Sequence, residues 1–478
     1  MTEKEHDEVH KKINIEENPT GRKEESIVEK MVETPAKVLD ETIEVSKTIE
    51  KAVDKPVRKL QDYWRMLGPG LTTGASDDDP SGIGTYSQTG AGYGYKFLWL
   101  APFTFPLMAV VQEMCARIGL VTGRGLAGNI KRFFPRWVLI ICTILLFAAN
   151  TFNIGADLGA MSEALRLFWP QLDYFFLIIV VAAVIMIMQV FMSYDRYAKY
   201  LKWLALVLFS YVLSTLLIKG INWHEILLAT VKPSFSFTRD QILIVTGALG
   251  TTISPYLFFW QTSQEVEESI QSGEKSIQSR IDAVADDDII DMRIDVWSGM
   301  FLSNLAMFFI VAACGATLHA AGIMNIESAA QAASALRPLA GDYAYLLFAI
   351  GIIGVGALGI PVLAGSSSYA IAESFGWKQG LHYKLRQAYA FYGIIIISLI
   401  IGVLMNLFGL NAMKTLVYSA IANGVVAPVV LVLIVILSSS KKVMGERSNG
   451  WISKVVGWIA TALMIIAGIA TVWTLMTG

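Results

Sequence analysis

Residues 174–192 read YFFLIIVVAAVIMIMQVFM, a run without a single charge. At helical rise it is long enough to cross a hydrocarbon core of about 30 Å. Many comparable runs follow one another along the 478 residues. Backbone in lipid must satisfy its own hydrogen bonds, so such runs fold as spanning helices. Only 16% of the chain is charged, against about a quarter in ordinary soluble domains. The deficit deepens beyond residue 62, because residues 1–62 hold a large share of the charge. The chain therefore reads as an all-α polytopic membrane protein.

Other classes find no support. The formal net charge of −2 carries no footprint of a nucleic-acid partner, and the lipid bilayer is the partner the composition names. Cys115, Cys142 and Cys314 all sit inside apolar runs, where single thiols behave as small hydrophobes. The histidines are scattered without an HExxH pair. No cofactor motif and no catalytic constellation stands out. The N-terminus is long and charged and lacks the early apolar core of a cleaved signal peptide.

Residues 1–62 alternate acidic and basic side chains, interrupted by Pro19, Pro35 and Pro56, and read as a solvated cytoplasmic tail. A lipid-surface anchor over residues 27–60 is the sharper alternative. About eleven spans follow, near 65–89, 93–121, 136–168, 173–192, 198–219, 240–262, 296–321, 342–375, 383–408, 413–438 and 451–476. Lys and Arg concentrate in the even loops, at Arg124–Arg136, Arg196–Lys202, Lys378–Arg386 and Lys441–Arg447. Those loops and the tail are therefore expected in the cytoplasm, which leaves the C-terminus on the outer side of the cell membrane. A core over 63–438 divides into repeats near 63–220 and 239–438. Residues 439–478 add a loop and one more helix.

Two spans are interrupted. The first reads GPGLTTGASDDDPSGIGTYSQTGAG over 68–92, and the sixth reads TGALGTTISPYLFFWQ over 246–261. Pro80 and Pro255 each remove a backbone donor, with glycines beside them. Freed backbone within a membrane is tolerated where protein, water or an ion satisfies it. Two such breaks five spans apart are what a five-plus-five inverted repeat places around a central site.

The acids set the sign of the substrate. Asp77, Asp78 and Asp79 lie inside the first span, where ionisable residues usually line an ion path. Successive helical residues point about 100° apart, so one of the three faces the break; Asp79, immediately before Pro80, is the candidate. Carbonyls near Ser76 and Thr251 and the hydroxyl of Ser254 would add neutral oxygens. Neither break contains Cys, His or Met, and an all-oxygen site suits a hard cation such as Mg²⁺.

The first-span string, continued by YGYKFLW and then by ARIGLVTGRGLA, resembles the NRAMP family of divalent-metal transporters, which share the LeuT-type fold of the APC superfamily. DMRIDVWSGMFLSNLAMFFIVAA from Asp291 is similar to the family's seventh span. The departures are as informative. The family's DPGN reads Asp79-Pro80-Ser81-Gly82, which keeps the aspartate and replaces the asparagine by Gly82. Its MPH reads Ser254-Pro255-Tyr256, so the ligating methionine and the histidine are both replaced. The third-span acids of the proton path fall on Asn153 and Ala156. A tenth-span glutamine falls on Ala420, with Asn423 one turn later. This combination is similar to the NRAMP-related magnesium transporters of prokaryotes.

The resemblance implies Asp79, Ser76, Gly82, Thr251 and Ser254 at the metal. Asp77, Asp78, Tyr256, Gln261 and Asn423 would line the pathway. It implies uptake of partly hydrated Mg²⁺, and of Mn²⁺ beside it, by alternating access without proton coupling. The metal is substrate, not cofactor. A proton-coupled Mn²⁺/Fe²⁺ transporter is the nearest alternative. A sodium-coupled organic-solute symporter is disfavoured because the acids would repel a substrate carboxylate, and a channel is a third option. Glu113 and Arg117, four apart, are expected to pair. Asp157 is read as a relay or as a polar contact between helices. Gln261, Gln264, Glu265 and Glu268 are read mainly as a solvated helix end, and 263–295 as a long cytoplasmic connection carrying Asp286–Asp288.

Overall fold

The structure, a computed structural model, describes residues 61–326, 329–408 and 412–477. The chain divides into two units, Met1–Arg65 and Met66–Gly478. Of the first, only one helical turn from residue 61 is described. Residues 1–60 of the tail expected over 1–62, with the alternative anchor over 27–60, and most of the loop at 409–412 lie outside the described residues.

The second unit is helical throughout its regular structure. Its helices are α1 (Pro69–Asp77), α2 (Pro80–Tyr93), α3 (Leu100–Thr122), α4 (Leu126–Phe133), α5 (Arg136–Arg166) and α6 (Tyr174–Phe191). Then come α7 (Tyr194–Leu204), α8 (Phe209–Leu216), α9 (Trp223–Val231), α10 (Arg239–Thr252), α11 (Pro255–Gln271) and α12 (Ile277–Ala283). The rest are α13 (Asp286–Cys314), α14 (Ala329–Phe375), α15 (Tyr389–Asn406), α16 (Ala412–Ser439), α17 (Lys441–Met444) and α18 (Trp451–Thr477). Ten helical segments among the described residues are long and apolar enough to cross a membrane. The halves α1 and α2, of 9 and 14 residues, are each too short alone. End to end they reach about 35 Å and complete the first of eleven spans.

Both expected breaks are present. α1 ends at Asp78 (φ −87°, ψ 47°), and Asp79 is extended (φ −60°, ψ 171°) before Pro80 restarts the helix. α10 ends at Ile253 (φ −118°, ψ 63°), and Ser254 is extended before Pro255 opens α11. In each case proline occupies the first helical position, where its missing N–H costs nothing. α1 and α2 pack on α13, α10 on α16 and α11 on α3, so each half-helix is braced by an unbroken one.

Some boundaries move. The second span begins at Leu100 rather than near 93, because α2 runs on to Tyr93 and Gly94 (φ 60°) ends it. The connection after the sixth span is shorter than expected: α11 persists to Gln271 and α13 starts at Asp286. Asp286–Asp288 form the first turn of α13, where carboxylates oppose the helix dipole. Asp288 Oδ2 accepts the Ala285 N–H at 2.8 Å. The hydropathy minimum at this acidic run marked charge, not the helix end.

Candidate functional site at the two helix breaks

Asp79 is the N-cap of α2 and is fully buried. Its Oδ1 accepts the Ser81 hydroxyl at 2.6 Å and the Gly82 N–H at 2.9 Å. Its Oδ2 accepts the Asn153 amide at 2.7 Å and the Tyr256 hydroxyl at 3.1 Å. A carboxylate offers about four lone-pair positions, so every one is engaged. Gly359 of α14 makes this fit: a Cβ there would come within 2.8 Å of Asp79 Cβ.

The second break reaches Asp79 through Tyr256. Its hydroxyl also lies 3.0 Å from the Ser76 carbonyl, one of those α1 leaves without a helical partner. The Tyr256 oxygen thus occupies a point about equidistant from Ser76 O and Asp79 Oδ2. Asn153 accepts the Ser419 hydroxyl at 2.6 Å on its other side, joining the third span to the tenth.

The remaining expected residues fall as follows. Gly82 presents a backbone N–H, a donor aimed at Asp79. Ser254 Oγ donates to the carbonyls of Gly250 at 2.8 Å and Thr251 at 2.6 Å, which satisfies the frayed end of α10. Thr251 is still helical, its hydroxyl 3.1 Å from that of Tyr86. Asp77 Oδ2 accepts the Ser303 hydroxyl at 2.9 Å. Asp77 Oδ1, both oxygens of Asp78 and both amide atoms of Asn423 are buried without a hydrogen bond.

Three residues went unremarked as contacts in the sequence: Ser303, Ser419 and Tyr86. Hydroxyls are common in membrane helices, and nothing local sets these apart. Asn153 reads in the sequence only as a lost acid; its donation to Asp79 needs the fold. Asp157, one turn along α5 from Asn153, is buried and faces the Ser81 backbone of α2, with neither oxygen in a well-formed hydrogen bond. The pairing of Glu113 with Arg117 is present at 2.7 Å. The solvated helix end is not: Gln261, Gln264 and Glu265 are buried, and Gln261 donates to Glu265 at 2.8 Å. Glu268, half-buried, accepts the Tyr194 hydroxyl at 3.0 Å.

Asp77, Asp78, Asp79 and Asp157 are all buried. Among the described residues none of them pairs with Lys, Arg or His. Nor do three acidic, imidazole or thiol groups converge there into a ready-made metal cage.

Eleven helical spans among the described residues, two of them broken beside Asp79, define a multi-pass membrane protein of LeuT-type fold. Solved structures share that architecture. The manganese transporter of Eremococcus coleocola superposes with a TM-score of 0.68 at 16% identity, covering 87% of each chain. A nucleobase-cation-symport-1 family transporter superposes at 0.54 and 14% identity over 86% of this chain and 93% of that one. The profile of the family described as natural resistance-associated macrophage protein-like matches residues 70–474, and the chain belongs to that family, NRAMP. A divalent metal cation transporter MntH of Caldanaerobacter subterraneus is 25% identical over 427 residues, 87% of this chain and 95% of the relative. Its namesake in Aeromonas hydrophila is 24% identical over 421 residues, 86% of this chain and 95% of that one.

Proposed function

We propose that this chain is a secondary transporter of divalent cations, carrying partly hydrated Mg²⁺, and Mn²⁺ beside it, by alternating access without proton coupling. One observation carries the reading: four buried carboxylates without a cationic partner surround a break whose other groups are all oxygens or neutral amides. Charge at such depth usually marks an ion path. A divalent cargo would supply the missing counter-charge. The relatives named for divalent metal and manganese transport support the class of cargo.

The local chemistry favours a hard ion. Serine stands at 254 and tyrosine at 256, so the soft ligand that selects Mn²⁺ and Fe²⁺ has no counterpart in the second break. Mg²⁺ sheds water reluctantly. Asp79, its lone pairs already filled, would meet an ion through the ion's own water or by giving up the Tyr256 hydroxyl. Ser76, Thr251 and Ser254 would contribute further oxygens, with Asp77, Asp78, Gln261 and Asn423 along the route. Gly82 would leave room where a longer side chain would intrude.

Energy for uptake can come from the membrane potential, about 4.6 kcal/mol per 100 mV for a divalent ion, or more than a thousandfold accumulation. We place the protein in an inner membrane with its tail and even loops cytoplasmic and its C-terminus outside. The core would be 63–438, and the final helix an addition to it. One observation favours the proton-coupled alternative: Asp157 is a buried carboxylate beside the site that pairs with no cation among the described residues. Proteoliposomes with a pH-sensitive dye separate the two readings. Mg²⁺ entry driven by a potassium diffusion potential, inhibited by Mn²⁺ and without proton influx, is expected. Exclusion of millimolar Mg²⁺ during Mn²⁺ uptake, or proton entry in step with the metal, would overturn the proposal.

A further inference from the structure

A cavity of about 850 Å³ opens where the second, sixth and eighth spans end. Its size is that of ordinary small-ligand sites. Arg124, Lys131, Arg132, Lys275, Arg280 and Lys378 line it. Among the described residues none of these six makes an ion pair.

The two acids in the wall are already committed to the protein. Glu373 accepts the N–H groups of Gly125 at 2.9 Å and Gly128 at 2.8 Å, and the Gln379 amide at 2.8 Å. Glu267 accepts the Tyr369 hydroxyl at 2.6 Å and the Leu381 N–H at 2.9 Å, and its other oxygen lies 2.6 Å from His382 Nδ1. Both carboxylates offset part of the charge, Glu267 acting on Arg280 and Glu373 on Arg124, and six cations against two acids leave the cavity positive.

Two guanidinium groups are built in. Arg280 is buried and fixed by the carbonyls of Gly123, Glu274 and Lys275. Burial first, and the charge of Arg124 second, hold Arg280 below its ordinary value. Arg124 Nε is itself buried with no hydrogen-bond partner. Like charges gathered in a cleft focus a positive potential, and guanidinium forks match phosphate oxygens. A divalent cation would be repelled, so this is not part of the metal's route.

We propose that this cavity is a binding site for a phosphate-bearing anion, either a soluble polyphosphate or an anionic lipid headgroup. The anion would bridge Lys275 and Arg280, which follow the broken sixth span, to Arg124 and Lys378 on the neighbouring loops. If the transport reading holds, that bridge restrains the moving half of the sixth span and slows transport. Binding itself does not depend on that reading.

Calorimetry on the purified full chain with metal-free tripolyphosphate, at fixed ionic strength, tests the site. Saturable binding is expected, weakened at least about tenfold by Lys275→Glu with Lys378→Glu, two exposed positions. Arg124→Gln should weaken it comparably with the thermal transition unchanged. Asp79→Ala should bind as wild type, which separates failure of this site from failure of the transport site. Nanodiscs distinguish the sources. Binding that is equal in phosphatidylcholine and phosphatidylglycerol discs assigns the site to soluble anions, and binding abolished in phosphatidylglycerol assigns it to lipid. No saturable binding in wild type, or an affinity untouched by the double substitution, would overturn the proposal.

Discussion

The Tyr256 hydroxyl stands 3.1 Å from Asp79 Oδ2 and 3.0 Å from the Ser76 carbonyl, and so ties the second half of the sixth span to both sides of the break in the first. One proton cannot serve both acceptors fully. The hydroxyl therefore closes the break while leaving residual acceptor strength that a cation or its water can use.

Tyr256→Phe tests that role. Without the hydroxyl, Asp79 loses a competing donor worth about 1–1.5 kcal/mol. The apparent KM for Mg²⁺ uptake should fall about five- to twelvefold while turnover slows, because the closed arrangement loses its latch. A KM that rises instead would make the hydroxyl a ligand, not a latch.

Asp295 anchors the start of the first span. Its carboxylate accepts the N–H groups of Gly68 at 2.8 Å, Gly70 at 2.6 Å and Leu71 at 2.9 Å, which are orphan donors of the α1 N-terminus. Asp295→Ala should lower stability by roughly 2–4 kcal/mol, since these bonds are charge-assisted and buried. Asp295→Asn should fall between the two. Thermal unfolding in detergent reads the order, and an Ala variant as stable as wild type would contradict it.

Helix contact beside the site depends on glycine. A Cβ on Gly299 of α13 would come within 2.1 Å of the Gly70 carbonyl oxygen, whereas one on Gly393 meets nothing within 4 Å. Gly299→Ala should force α1 and α13 apart and cost about 1–3 kcal/mol or more. Gly393→Ala should be silent. Folded yield and thermal midpoint for the pair provide the comparison.

Glu113 collects three donors: Arg117 at 2.7 Å, Arg293 at 3.1 Å and the Trp297 indole at 2.9 Å. Removing it strands the buried Arg117 charge, so Glu113→Ala should cost about 3–5 kcal/mol. Glu113→Ala with Arg117→Met should recover a substantial part, measured by chemical or thermal unfolding.

The two breaks were legible because proline and glycine act locally: Pro80 and Pro255 dictate where a helix restarts whatever surrounds it. Asp79 was legible for the same reason, as a charge placed at such a restart. What surrounds Asp79 was not. Tyr256 is expected on the pathway but not against Asp79. Asn153 and Ser419 come from two further spans, and no periodicity in their own helices distinguishes a side chain that serves a carboxylate from one that bonds its own backbone. The misplacement at Gln261–Glu268 has a similar cause. These polar residues read as a wet helix end, yet they are largely buried and bonded to partners such as Tyr194, with Gln261 Oε1 and Gln264 Nε2 left unpaired.

The most direct test is Mg²⁺ uptake by the purified full chain in liposomes under an inside-negative potential, with wild type beside Asp79→Ala. The account predicts saturable, potential-driven uptake by wild type and at least a hundredfold loss, about 2.7 kcal/mol, in the variant. Wild-type uptake by Asp79→Ala would contradict it.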